Sequence, residues 1–240
     1  MTRITRSTQI VSIAGASLFA VAQLVFYWQY AGPFGADPAP WSIDGAIGCI
    51  AWDLGLFTLF ALHHSIFARP GIKTWVARAM PGDLERSAYV LIASLLFLLV
   101  FAAWRPVPGV AWAARGPWRG GLYAAQLAGL CLTIAASIRL DALDLAGLRV
   151  VRPARPEPGP HTLVSSGFYG VVRHPVYLGW LLMVWPAPFM TGTRLAFAAI
   201  STAYLVVGIP FEERGLRAVF GPAYDAYAAR VRFRMVPFIY

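Results

Sequence analysis

Long apolar runs separated by short polar ones set the pattern of this chain. Residues 10–30, 43–68, 88–104 and 118–138 form four such runs, each close to the roughly 20 residues a helix needs to cross a hydrocarbon core of about 30 Å. Two shorter runs follow, 176–190 and 195–211, separated only by Thr191, Gly192 and Thr193. That spacing predicts a tight helical hairpin whose first arm Pro186 and Pro188 would kink. The pattern defines an all-α fold: a polytopic membrane bundle of about 5–6 transmembrane helices, ending in a helical hairpin. Phe220, Tyr224, Tyr227 and Val231 recur at helical spacing and predict a further amphipathic helix, suited to the membrane surface or to covering a site.

Composition supports lipid as the main solvent. The 240 residues are 58% hydrophobic and 13% charged, with a mean hydropathy of +0.61, far from the average soluble domain. No linker or low-complexity tract divides the chain, so residues 1–240 read as a single membrane domain. The first run follows Arg3 and Arg6, is too long for a signal-peptide core and is followed by no small-x-small cleavage site; it is expected to persist as the first helix. Cys49 and Cys131 lie in separate apolar runs without a CxxC pattern, and both are expected to be buried as small apolar residues.

The net charge of +9 raises the question of nucleic acid. The arginines, however, flank apolar runs instead of lining one polar face with stacking aromatics, so membrane lipids are the expected counter-charge and nucleic acid is excluded. Sixteen of the 20 Lys and Arg fall before the first run, in 69–86, between Arg139 and Arg173, or after Phe211. Cytoplasmic segments retain such residues, which predicts a multi-pass cell-membrane protein with both termini in the cytoplasm.

The chemistry-bearing residues concentrate late in the chain. Residues 161–180 read HTLVSSGFYGVVRHPVYLGW, in which Pro175 suits the first position of a helix and biases His174 away from helical geometry. Arg173 and His174 would then stand at a helix N-terminus, either binding an anion or anchoring the span at the headgroups. Glu212 and Glu213 directly follow the last apolar run. Carboxylates at the edge of hydrocarbon are costly unless paired, so both are functional candidates, the alternative being a surface ion pair with Arg214 or Arg217. In the second run Asp53, Phe57, Phe60 and His64 share one helix face, where the acid and the imidazole would line a substrate pocket or make packing hydrogen bonds. His63 and His64 point about 100° apart, and with no further ligand cluster no metal site is expected.

These motifs resemble those of the isoprenylcysteine carboxyl methyltransferase superfamily of membrane methyltransferases. The resemblance rests on H-x-L-V-x-x-G-x-Y-x-x-x-R-H-P-x-Y-x-G at 161–179, E-E-x-x-L-x-x-x-F-G-x-x-Y-x-x-Y from 212, and the terminal Pro-Phe-Ile at 237–239. Upstream, ALHHSIFARPGIKTW at 61–75, ERSAYVLIASL at 85–95 and LDLAGLR at 143–149 are similar to bacterial methanethiol S-methyltransferases and NnrU-like membrane proteins.

The resemblance implies that residues 139–240 form a cytoplasmic methyltransferase core binding S-adenosylmethionine. It places His161, Thr162, Leu163, Val164, Tyr169, His174, Pro175, Val176, Tyr177 and Glu212 at cofactor-contacting positions. The residue types suit that ligand: His174 and nearby N–H groups for its carboxylate, Glu212 for its ammonium, and Leu163, Val164, Tyr169 and Tyr177 for its rings. Arg173 is assigned to acceptor activation by stabilising a thiolate, with Glu213 as the second catalytic candidate.

Gly208 stands where carboxyl-methylating relatives carry an arginine for the acceptor carboxylate, four residues before Glu212. A small or lipophilic acceptor, preferably a thiol, is therefore expected. The alternatives are carboxyl O-methylation of a prenylcysteine or related lipid, and a non-catalytic NnrU-like membrane carrier or assembly factor.

Overall fold

The computed structural model describes residues 6–36, 43–67, 72, 76, 78, 82–140, 148 and 162–240. His161 lies outside them, as do most of the 68–81 and 141–161 connections. The described residues divide into two compact units, one up to Val107 together with Leu148, the other 108–140 with 162–240.

The first unit contains α1 (Arg6–Ala31), α2 (Ile43–Phe67) and α3 (Gly82–Ala103). Its core is aromatic: Phe26 of α1 packs 5.9 Å from Phe97 and 5.7 Å from Phe101 of α3, and Phe60 of α2 lies 5.4 Å from Phe97. Offset and tilted ring pairs at such distances add to the burial of their area. The opposite helix faces present Ile10, Leu24, Trp28, Ile47 and Leu54 outward. Water would penalise that surface, whereas lipid does not. Gly15 brings α1 against α3, since a Cβ there would meet the backbone oxygen of Ser87 at 3.0 Å, and Ser12 and Ser87 join hydroxyls nearby at 2.7 Å.

The second unit begins with β1 (Val110–Ala113) and α4 (Pro117–Arg139), then a 3-10 turn over Gly167–Gly170, α5 (Pro175–Val184), β2 (Phe189–Thr191), α6 (Gly192–Phe220) and α7 (Pro222–Arg230). Among the described residues, α1, α2, α3, α4 and α6 are long and apolar enough to cross a membrane. The fold is the expected all-α membrane bundle.

The run at 176–190 departs from its expected form. Instead of a kinked span it is the ten-residue α5, about 15 Å long at 1.5 Å per residue. Pro186 has no N–H to continue the ladder and restricts Trp185, so the helix stops rather than bends. The Met183 carbonyl accepts instead from Gln126 Nε2 of α4 at 2.8 Å. The chain then extends as β2, antiparallel to β1, pairing Val110 with Thr191 and Trp112 with Met190.

The expected hairpin survives in the pairing of α5 with α6. Trp180 donates to Ser201 at 3.0 Å and Trp185 to Thr202 at 2.9 Å. The cysteines depart from expectation: Cys131 is exposed and Cys49 half-buried, because lipid-facing positions of a membrane helix accept small apolar residues as readily as the core does.

α4 and α5 cross at a pair of glycines. A Cβ on Gly129 would lie 2.6 Å from the Gly179 oxygen and 2.8 Å from Leu182, so only a hydrogen lets the backbones approach. Gly129→Ala is expected to destabilise the protein by about 1–3 kcal/mol through overpacking. Thermal melting in detergent checks this, with Gly208→Ala as the control, since a Cβ at Gly208 meets nothing within 4 Å.

Candidate functional site

The site grows from two adjacent turns of backbone. Gly167 opens the 3-10 turn at φ +62°, a left-handed conformation natural to glycine. Val172, 1% exposed, buries the short segment that leads from that turn to α5. Arg173 and His174 then donate their backbone N–H groups to the Phe233 and Arg234 carbonyls, at 2.9 and 2.7 Å. The C-terminal tail is thereby laid along the segment carrying both residues. Pro175 takes the first position of α5 and His174 its N-cap position, without a side-chain cap, which leaves the imidazole available for other partners.

Those partners are the paired carboxylates of α6. Adjacent helical residues diverge by about 100°, so Glu212 and Glu213 face different surroundings. Glu213 is 1% exposed. Its Oε1 accepts from Arg173 Nε at 2.7 Å and lies 3.4 Å from His174 Nε2, while Oε2 lies 3.5 Å from Arg234 Nε. Arg173 also donates through Nη1 to the Val231 and Arg232 carbonyls, at 2.6 and 2.9 Å. Glu212 keeps 44% of its side chain exposed, with Oε2 3.5 Å from His174 Nδ1 and accepting from Tyr177 Oη at 2.6 Å. The rings of His174 and Tyr177 stack 5.2 Å apart, 7° from parallel.

His174 therefore bridges two carboxylates, one buried and one open. A neutral imidazole donates from only one nitrogen, whereas an imidazolium serves both acids.

The other expected residues divide by environment. Tyr169 is buried; its hydroxyl donates to the Ala136 carbonyl at 3.3 Å, and its own carbonyl accepts from Tyr227 Oη at 2.8 Å. Tyr224, Tyr227 and Val231 form a buried cluster against which Leu163 packs, so the amphipathic helix expected from the spacing of these residues turns its apolar face inward. Gly221, at φ +55°, breaks it from α6. Burial pushes the Tyr227 hydroxyl up to about 12 and those of Tyr169 and Tyr224 up as well, so these phenols stay neutral at working pH. Pro175 is buried, Val164 and Val176 are half-buried, and Thr162 is exposed.

Asp53 and His64 belong to the first unit. Asp53 is fully buried, and its Oδ1 accepts from the Arg105 N–H at 2.8 Å. Trp52 donates to the Ala103 carbonyl at 2.9 Å. Adjacent residues of α2 thus fasten the end of α3 and the chain beyond it. His64 Nδ1 pairs with Tyr89 Oη at 2.8 Å. Asp53→Ala leaves the Arg105 N–H unserved and is expected to destabilise the first unit by about 1–3 kcal/mol, while Asp53→Asn keeps an acceptor and loses less; thermal melting of both variants checks the order.

Sequence reasoning missed Arg234 and the tail carbonyls that complete the Glu213 cluster. The only signal was the Arg-x-Arg spacing of Arg232 and Arg234 behind the conspicuous tyrosines.

A membrane helix bundle in which a histidine at the start of the short α5 lies between two acids of the long α6 is a polytopic membrane protein with a built polar site. Comparison with known proteins defines it further. The chain is 38% identical to methanethiol S-methyltransferase 2 of Bradyrhizobium diazoefficiens over 92% of its own length and 86% of the relative's. It is 36% identical to methanethiol S-methyltransferase of Mycobacterium tuberculosis, covering 91% and 93% of the two chains. Human Nurim is 31% identical over 70% of this chain and 68% of its own. No family model and no solved structure matches the chain. The chain belongs to the methanethiol S-methyltransferase family, and it is a multi-pass membrane methyltransferase.

Proposed function

We propose that the protein transfers a methyl group from S-adenosylmethionine to methanethiol, giving dimethyl sulfide. The observation that carries this reading is His174 held between Glu213, buried and ion-paired, and Glu212, open to a ligand. The donor set fits the cofactor. Glu212 offers a half-exposed carboxylate to its ammonium, the stacked His174–Tyr177 pair offers aromatic faces to its rings and sulfonium, and Leu163 packs on the tyrosine cluster. When bound, the cofactor supplies an electrophilic methyl group.

The chain's own residues have then to position and dehydrate the acceptor. The thiol sulfur forms the new C–S bond as the sulfonium bond breaks, and the thiol proton leaves to solvent. Arg173 has its donors engaged with Glu213 and two tail carbonyls, which favours it as a positioning residue for His174 over direct contact with the acceptor. Glu213 takes the same positioning role. Gly208, one turn before Glu212 on α6, leaves open and uncharged space, which suits a small neutral thiol better than a carboxylate.

In this reading residues 139–240, His161 among them, form the donor-binding core. They belong to the wider prenylcysteine-type superfamily and face the cytoplasm with both termini, as the charge bias along the chain supports.

A product assay tests the reading. Detergent-purified protein given methyl-labelled S-adenosylmethionine and methanethiol should release labelled dimethyl sulfide, and with a prenylcysteine should yield no base-labile methyl ester. Ester formation, or no labelled product from well-folded protein, overturns it.

A further inference from the structure

The C-terminal turn carries a feature that methyl transfer does not use. Arg173, Arg232, Phe233, Arg234, Ile239 and Tyr240 line a cavity of about 350 Å³. The chain closes beside it: Met235 and Val236 donate their N–H groups to the Tyr240 carbonyl at 2.8 and 3.0 Å, and Tyr240 donates back to Val236 at 3.0 Å. Arg234 donates to Tyr240 Oη at 3.2 Å, with its guanidinium 5.3 Å from the ring centre. Hydrogen bonding to that phenol and the charge of Glu213 hold the Arg234 guanidinium above its ordinary range, so it remains a cation.

Phe238 is held at φ +65°, a conformation that residues bearing a Cβ avoid. Phe238 and Ile239 are 89% and 81% exposed, the most exposed large apolar side chains among the described residues. A turn constrained in this way to present two apolar side chains beside three arginines is amphipathic by construction. Arg173 and Arg234 share the Glu213 carboxylate, and Arg232 adds a third positive charge to the cavity lining.

Helix geometry gives the level of the turn. Glu213 stands 21 residues after Gly192 in α6, about 32 Å along a helix at 1.5 Å per residue, against a hydrocarbon core of about 30 Å. Arg234 Nε lies 3.5 Å from Glu213. With the apolar part of α6 in the bilayer, the turn therefore sits at the boundary between acyl chains and headgroups.

We propose that this turn is a binding site for one anionic phospholipid. Arg232 and Arg234 take the phosphate through their guanidinium forks, while Phe238 and Ile239 enter the acyl region. A free phosphate would share the arginines but gains nothing from the exposed apolar pair, so the lipid is the occupant the turn fits. Because the tail carbonyls of Phe233 and Arg234 hold the backbone of Arg173 and His174, a bound lipid would also steady the segment carrying His174.

Binding, rather than activity, is the readout, which keeps this test separate from the methyl-transfer reading. Purified protein is equilibrated with phosphatidylglycerol or phosphatidylcholine in detergent, and the retained lipid is counted by native mass spectrometry. Wild type is expected to keep one phosphatidylglycerol in preference to phosphatidylcholine. Arg232→Gln should weaken that retention about fivefold, as expected for one interfacial cation, and Arg232→Lys should restore most of it. Phe238→Ser with Ile239→Ser should weaken retention comparably although every charge remains. Each variant is required to melt as wild type does in detergent alone.

Equal retention of the two lipids by wild type, or full retention by either the Arg232→Gln or the double serine variant, overturns the proposal. Displacement of phosphatidylglycerol by millimolar inorganic phosphate overturns the lipid as occupant and leaves a free-anion pocket.

Discussion

Glu213→Ala is expected to cost the protein about 3–5 kcal/mol, the largest stability loss of any single substitution at the site. The carboxylate is 1% exposed and meets Arg173, His174 and Arg234. Removing one partner of a buried pair strands the other charge away from water, and the penalty is mostly that desolvated charge rather than the lost attraction. Arg173, with 8% of its side chain exposed, is the stranded group. Thermal melting in detergent reads the effect.

A second construction separates stability from catalysis. Glu213→Leu combined with Arg173→Met removes both charges and should recover much of the lost stability, since apolar replacement of a buried pair is often neutral. Methyl transfer should stay low, because His174 then lacks the Nε2 partner that orients it. Full activity in the double variant would show that the pair serves folding alone.

Glu212→Ala is expected to behave in the opposite way. With 44% of its side chain exposed, one hydrogen bond from Tyr177, and His174 at 3.5 Å among the described residues, this carboxylate contributes little to folding, and its loss should move stability within about 0.5 kcal/mol. If it receives the ammonium of the methyl donor, it supplies a charge-assisted hydrogen bond of about 1.5–3 kcal/mol. Donor affinity should then fall about 10- to 150-fold at unchanged melting temperature. Glu212→Gln keeps an acceptor without the charge and should fall between the two. Equal donor affinity in Glu212→Ala and wild type would remove Glu212 from the site.

What the sequence made legible follows from how far each signal reaches. The long helices were readable because about 20 apolar residues in a row have few other uses. The start of α5 was readable because the His174–Pro175 step carries a backbone restriction. Its end differs from the expected kink: Pro186 and Pro188 end the helix, where Gln126 serves the last-turn carbonyl of Met183 and β2 takes up the chain. The two strands, three and four residues long, are too short to show a period of two.

The pairing of Glu213 with Arg173 spans 40 positions, and no local pattern distinguishes it from a surface pair with Arg214 or Arg217. Arg217 does form such a pair, with Asp225 at 3.0 Å. Asp53 and His64 share a helix face as read, but only the fold shows that Asp53 serves the Arg105 N–H and His64 the Tyr89 hydroxyl.

If His174 and Glu212, held in place by Glu213, bind S-adenosylmethionine, calorimetric titration of detergent-purified protein with that cofactor reads it without any assay of methyl transfer. Wild type is expected to show saturable, one-to-one binding that weakens at least about tenfold in Glu212→Ala. Well-folded wild-type protein that takes up no S-adenosylmethionine would contradict it.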